Sequence, residues 1–112
     1  MHELSLAEEI LAIVEHHAVG LSAVTSIRLR VGSLAGVDTA ALRFALETVL
    51  RGGKAEAAEI EIEETPARAV CRDCGLEQRL EERICACAAC GALGLALICG
   101  DELQVSAIAG VD

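Results

Sequence analysis

Cys71-Arg72-Asp73-Cys74-Gly75 and Cys87-Ala88-Ala89-Cys90-Gly91 decide how this chain is read. Each is a C-x-x-C-G knuckle. Two intervening residues let two thiolates converge on one ion, and the following Gly lets the chain turn tightly past it. The pairs are close in sequence, so two short turns can face each other and complete a tetrahedral four-sulfur site. Doubled at this spacing, the motif predicts a structural zinc site with Cys71, Cys74, Cys87 and Cys90 as ligands. Rubredoxin-like iron and a pair of disulfides are the competing readings.

The rest of the composition gives such a site a structural purpose. The chain has 112 residues, enough for one small domain or two very small ones. It holds one Phe and no Trp or Tyr, so its core is built from Leu, Ile, Val and Ala. A small aliphatic core is marginal, and a metal staple helps it. The formal net charge is -9, and four thiolates around a divalent cation add further negative charge. Arg68, Arg72, Arg79 and Arg83 are balanced by Asp73, Glu77, Glu81 and Glu82, leaving no basic patch. Nucleic acid is therefore not expected as a partner, since phosphate binding needs Lys and Arg. Met1-His2-Glu3-Leu4 lacks the basic start of a signal peptide, and no apolar run is long enough to span a membrane. The expectation is a cytoplasmic protein with no membrane partner. Thiols stay reduced there, which favours metal thiolate over disulfide.

Residues 3–18 read as an amphipathic helix with Leu4, Leu6, Ala7, Ile10, Leu11, Ile13, Val14 and Ala18 on its apolar face, and Gly20 as its stop. Residues 24–31 alternate as a strand with Ile27, Leu29 and Val31 inward. Asp38 suits the N-cap of a second helix running to about Arg51, with Leu42, Leu46, Val49 and Leu50 as its stripe. Ile60 and Ile62 alternate with Glu in a second strand that Pro66 ends. Residues 66–100 hold all six cysteines, and a last strand follows from Glu102, its phase breaking near Ile108. These elements predict an α+β fold: two helices packed on a small three-stranded sheet, with an inserted zinc-ribbon lobe. The expected domains are 1–65 plus 101–112, and 66–100.

The start of the chain offers a different chemistry. His2 is bulky, so Met1 is expected to be retained. The α-amine of Met1, the amide nitrogen of His2 and its imidazole Nδ1 can chelate one ion in fused rings, with Glu3 as a further donor. A nitrogen-rich planar set suits Ni(II) or Cu(II) rather than Zn(II). A frayed terminus that binds nothing is the alternative at this point. His16-His17 lies roughly 20 Å along a straight helix from His2, too far to share its ion, and is read as a pair interacting with the helix dipole.

Met1-His2-Glu3-Leu4-Ser5-Leu6 resembles the MHE(M/L)S(L/I) opening of the HypA family of nickel metallochaperones. Val31-Gly32-Ser33-Leu34-Ala35-Gly36-Val37-Asp38 resembles that family's V-G-x-L-S-G-V-D stretch, and Leu42-Arg43-Phe44-Ala45-Leu46-Glu47 its following helix. The knuckles match its zinc ribbon, and Gly100-Asp101-Glu102-Leu103 its terminal G-x-E-L strand. The resemblance implies a hydrogenase maturation factor that binds Ni(II) at the N-terminus and passes it to a [NiFe] hydrogenase large subunit precursor. It implies a HypB-like GTPase as partner and, in some organisms, service to urease maturation proteins. Carried onto this chain, it gives Met1, His2 and Glu3 as nickel site and the four knuckle cysteines as site of a structural Zn(II). Asp38 is a lesser candidate for nickel support, its capping role explaining it equally well. The tail Ser106-Ala107-Ile108-Ala109 departs from the family's S-I-E-V-E, and Cys85 and Cys99 are additional thiols. Cys85 could exchange with Cys87; a free loop thiol is the simpler reading, with Cys99 a small residue in a strand. An enzyme is not expected, because no nucleophile–base arrangement is visible. A zinc-ribbon interaction module with no metal-transfer role stays open as the alternative.

Overall fold

The computed structural model describes residues 2–82 and 84–112. Met1, the first of the expected nickel ligands, and Arg83, one of the balancing charges near the knuckles, lie outside the described residues. The chain runs α1 (His2–His17), β1 (Ala23–Gly32), α2 (Thr39–Val49), β2 (Glu59–Thr65), β3 (Ala67–Cys71), β4 (Glu77–Leu80), β5 (Leu95–Cys99) and β6 (Leu103–Val111). One three-stranded sheet has the order β2-β1-β6, the other β4-β3-β5. This is the expected α+β architecture of two helices, a small sheet and an inserted ribbon lobe.

Two compact units divide the chain. The first comprises Met1–Arg30, Val37–Glu63 and Gln104–Asp112; the second comprises Val31–Gly36 and Glu64–Leu103. In the first unit, α1 buries Ala7, Ile10 and Val14, which recur at helical spacing. Its stripe is narrower than the sequence suggests, because Leu4 and Ile13 remain partly exposed. The helix ends as expected: Gly20 takes φ +93°, a conformation that costs residues with a Cβ. Asp38 caps α2, its Oδ1 accepting from the Ala40 and Ala41 amides at 3.0 and 3.2 Å. α2 packs on α1 and buries Leu42, Ala45 and Leu46, and Leu50 closes its end. Arg43 ties the helix to β2 by donating to the Ile60 carbonyl at 2.6 Å. On the sheet, Val24, Ile27, Leu29 and Ile60 are buried while Arg28 and Glu61 pair in solvent. Burying apolar aliphatic groups supplies the main driving force for this packing.

The second unit has a ribbon sheet that sequence periodicity did not reveal. β3 pairs antiparallel with both β4 and β5, with Ala69 opposite Gln78 on one side and Leu97 on the other. Ala67, Ala69 and Leu80 form its small core, with Leu34 and Leu95 against them. Val31–Gly36, the end of β1 and the turn that follows it, belongs to this unit. Gly32 donates to the Glu102 carbonyl at 2.7 Å, Ser33 to that of Thr65 at 2.9 Å and Leu34 to that of Gly100 at 2.7 Å. The Ser33 hydroxyl accepts from the Ala67 amide at 3.2 Å. Glu102 stitches the same place from its side chain, accepting from Thr65 Oγ1 at 2.6 Å and from the Gly100 amide at 2.7 Å. The strands through which the cysteine segment begins and ends are thus bound to one another before the chain reaches the knuckles.

Candidate metal centres

Antiparallel β3 delivers Cys71 at its last position, and the chain then turns through the first knuckle to β4. The Cys71 amide donates to the Leu76 carbonyl at 2.9 Å, and the Gly75 amide donates to the Cys71 carbonyl at 2.9 Å. The second knuckle repeats this pattern: Cys87 donates to Ala92 at 2.8 Å and Gly91 to Cys87 at 2.9 Å. Gly75 and Gly91 take φ +79° and +76°. Each Gly therefore occupies the left-handed position that the C-x-x-C-G pattern requires.

The two turns bring four sulfurs together. Cys71, Cys74, Cys87 and Cys90 have their Sγ atoms all within 4.8 Å of one another. Cys71 and Cys90 are 3.6 Å apart, as are Cys74 and Cys87. A tetrahedron of sulfurs about 2.3 Å from a zinc ion has edges of roughly 3.8 Å. The spacing fits that geometry, and all described cysteines are free thiols rather than disulfides. Four thiolates around one cation would leave no open position, which is the arrangement of a closed structural site. Cys85 lies outside the group, exposed in the loop before the second knuckle, with its thiol 3.6 Å from the Ala86 carbonyl. Cys99 ends β5, half-buried.

The electrostatics follow the knuckle geometry. The first cysteine of each knuckle is buried and its sulfur receives amide N–H groups. The Cys74 amide holds the Cys71 thiol below its ordinary value. The Gln78 side-chain amide, followed by main-chain amides of the knuckle, pulls the Cys87 thiol down to about 6. The second cysteines are exposed and go the other way. The Leu76 amide draws Cys74 down, but the Cys87 sulfur, desolvation and the Cys71 sulfur outweigh it and leave the thiol raised. The Ala92 amide acts likewise on Cys90, and the Cys71 sulfur, desolvation and the other two sulfurs push it up to about 12. Neighbouring thiolates repel, so the cluster holds protons until a cation replaces them.

The second candidate centre is the first turn of α1. His2 is its first residue and is exposed, and Glu3 is half-buried. The first amides of a helix have no intrahelical acceptor, so the His2 nitrogen is not committed to the helix ladder. Glu3 Oε2 accepts from the Asp38 amide at 3.4 Å. The tertiary fold therefore brings Glu3 to the Asp38 amide at the capped start of α2, a juxtaposition the sequence contains no signal for. His16 and His17 close the same helix with rings 5.1 Å apart in a T-shaped arrangement, at its opposite end from His2. Among the described residues no helix is long and apolar enough to cross a membrane.

Known proteins resemble this one along its whole length. The family model described as "Hydrogenase/urease nickel incorporation, metallochaperone, hypA" matches residues 1–110. A protein of Cereibacter sphaeroides named hydrogenase maturation factor HypA is 47% identical over 107 residues, covering 94% of this chain and 95% of its own. The protein of the same name from Paracoccus denitrificans is 45% identical over the same shares. Among solved structures, the solution structure of the Ni metallochaperone HypA from Helicobacter pylori superposes with a TM-score of 0.71 at 18% identity, covering 97% of both chains. A second solution structure of a HypA protein gives 0.73 at 20% identity, over 99% of this chain and 97% of the other. At such identities the two structures speak to the fold.

Proposed function

The chain belongs to the HypA family of hydrogenase and urease nickel-incorporation metallochaperones, and on that premise we propose that it carries Ni(II) as cargo toward the maturation of a [NiFe] hydrogenase. In this reading Met1, His2 and Glu3 are the nickel ligands, and Cys71, Cys74, Cys87 and Cys90 hold a resident structural Zn(II). The functional division proposed is a nickel-binding domain of 1–65 plus 101–112 and a zinc-ribbon domain of 66–100, with 31–36, 64–65 and 101–103 grouping with the ribbon by compactness. The family consists of metallochaperones and not enzymes, and no turnover is assigned to the chain.

The observation that carries the reading is the first turn of α1, with exposed His2 beside Glu3, whose carboxylate sits at the Asp38 amide. Cargo transfer is ligand exchange, which needs an accessible, incompletely enclosed site. The helix start offers one, whereas the four-sulfur cluster is closed. The Met1 amine, the His2 amide nitrogen and the His2 imidazole supply adjacent nitrogens for a planar ion, a preference of Ni(II) that Zn(II) does not share. Glu3 completes or flanks the set, and Asp38 adds negative charge nearby. Transfer would run in the cytoplasm to a hydrogenase large subunit precursor with a HypB-like GTPase, and in some organisms to urease maturation proteins. Leu93 and Ile84, strongly exposed in the ribbon unit, favour a second use of that lobe as a protein-docking module, which is the alternative if nickel binding fails.

Nickel titration by calorimetry tests the proposal on untagged protein, on protein with Gly-Ser added before Met1, and on His2→Ala, each at two pH values. Both alterations should weaken nickel binding strongly while zinc and helical content stay unchanged. Affinity should fall as pH drops through the range where His and the α-amine protonate. Equal affinity in all three proteins would refute the N-terminal site.

A further inference from the structure

The two knuckles are near copies, and one side chain makes them different. In the first, the Arg72 amide donates to the Gly94 carbonyl at 2.9 Å. In the second, the corresponding Ala88 amide donates to Gln78 Oε1 at 3.0 Å. Gln78 stands at the same chain separation from Cys71 as Gly94 does from Cys87. A side-chain oxygen on one side thus replaces a main-chain oxygen on the other. The Ala88 N–H fixes which end of the amide faces it, so Nε2 points to the sulfurs. It lies 3.3 Å from Cys87 Sγ and 3.3 Å from the Leu76 carbonyl. Gly94, having no side chain, offers nothing equivalent to Cys71.

Cys71 and Cys87 are otherwise matched. Both are buried, at 2% and 4% exposure. Each accepts a main-chain N–H from its own knuckle at 3.4 Å. Gln78 reaches inward because β4 alternates: Glu77 and Arg79 are exposed, while Gln78 is half-buried and Leu80 buried. A donor hydrogen-bonded to a ligand sulfur draws charge off it, and partners of this kind orient and tune a metal site as its ligands do.

We propose that Gln78 is a positioning residue of the metal centre: it clasps the second knuckle to β4 and shields the Cys87 thiolate, so that ligand exchange and electrophilic attack begin at the other three sulfurs. The proposal rests on the reading of the four cysteines as a zinc site. It makes the cluster asymmetric, with Cys87 the last ligand to leave.

The test uses the full chain. Gln78→Glu keeps an acceptor for Ala88 but removes the donor to Cys87; Gln78→Ala removes both; Arg68→Ala breaks only the exposed Arg68–Glu77 pair on the same sheet. Zinc transfer to a chromogenic chelator is timed, and the order of cysteine modification by limiting N-ethylmaleimide is read by mass spectrometry. The ultraviolet sulfur-to-metal band of the Co(II)-substituted proteins is recorded alongside. In the unaltered protein Cys87 should react after Cys71. In both Gln78 variants zinc should leave on the order of 10-fold faster, Cys87 should lose its protection, and the band should move to lower energy; Arg68→Ala should match the unaltered chain. The band shift in Gln78→Glu separates the sulfur contact from simple bracing of the knuckle. Cys87 reacting ahead of Cys71 in the unaltered protein would overturn the proposal even if both variants failed to fold. Unchanged order, rate and band in Gln78→Glu would overturn it too. Failure of the unaltered chain to hold Zn(II) or Co(II) at all would instead refute the zinc reading beneath it.

Discussion

Replacing Gly100 with Ala should unfasten the cysteine lobe where its chain begins and ends. Gly100 takes φ +113°, and a Cβ built there would lie 2.2 Å from Ala67 Cα and 2.5 Å from Ala67 Cβ. The same glycine is pressed from the other side, since a Cβ on Gly32 would meet the Gly100 carbonyl carbon at 2.2 Å. Two costs follow. The left-handed conformation alone costs a residue with a Cβ about 1–2 kcal/mol. Forcing main chains apart in a packed site adds about 1–3 kcal/mol. Gly36 provides the control, because it has φ +72° but nothing within 4 Å of an added Cβ. Gly36→Ala should therefore cost only the first amount and Gly100→Ala about 2–5 kcal/mol, a large part of the 5–15 kcal/mol typical of a domain. The difference of about 1–3 kcal/mol should put the melting temperature of Gly100→Ala at least ~4 °C below that of Gly36→Ala. Hydrogen exchange should localise the loss, with the Leu34 and Ala67 amides losing protection while those inside α1 and α2 keep theirs. Equal stabilities for the two variants, or loss of protection first in the helices, would refute the close-approach reasoning.

Other perturbations address the metal sites directly. Cys74→Ala should abolish the expected one zinc per chain and loosen the ribbon sheet, with little change in helical circular dichroism; Cys85→Ala should leave zinc content as it was, as measured by elemental analysis. Zinc affinity should rise with pH, because binding requires thiolates and the Cys74 and Cys90 thiols are raised in the metal-free cluster. Since Cys87 is pulled down to about 6, loading near pH 7.5 should release fewer protons than there are ligand thiols, and loading should weaken most steeply below about pH 6; proton release in weakly buffered solution checks both. Asp38→Ser should retain the cap of α2, whereas Asp38→Ala should cost about 1 kcal/mol of stability. Nickel affinity that falls equally in both would give Asp38 a role in metal binding separate from capping, and unchanged affinity in Asp38→Ser would leave it a cap alone.

Local chemistry made much of this protein legible. The knuckle cysteines and their glycines lie within a few residues of one another, so the turn they need is written in one short stretch. Both helices follow from apolar spacing and from Asp38, whose cap bonds reach only to Ala40 and Ala41. β1 and β2 show themselves through alternation, and β6 does so until the pattern breaks at Ala107. The ribbon strands β4 and β5 were hidden because they are short and lack a clean apolar alternation: β4 has four residues and β5 has adjoining exposed Leu97 and Ile98. They are held by pairing to β3, a long-range property without a period of its own. Leu4 and Ile13 show the converse, apolar residues that helical periodicity would bury and that the packing leaves exposed. Only the tertiary structure could bring Glu3 to the Asp38 amide, stack Gly32, Gly100 and Ala67 without room for a side chain, or turn Gln78 toward Cys87. Each depends on chain segments meeting at a distance of a few ångströms after many intervening residues, and one-dimensional spacing carries no record of such meetings.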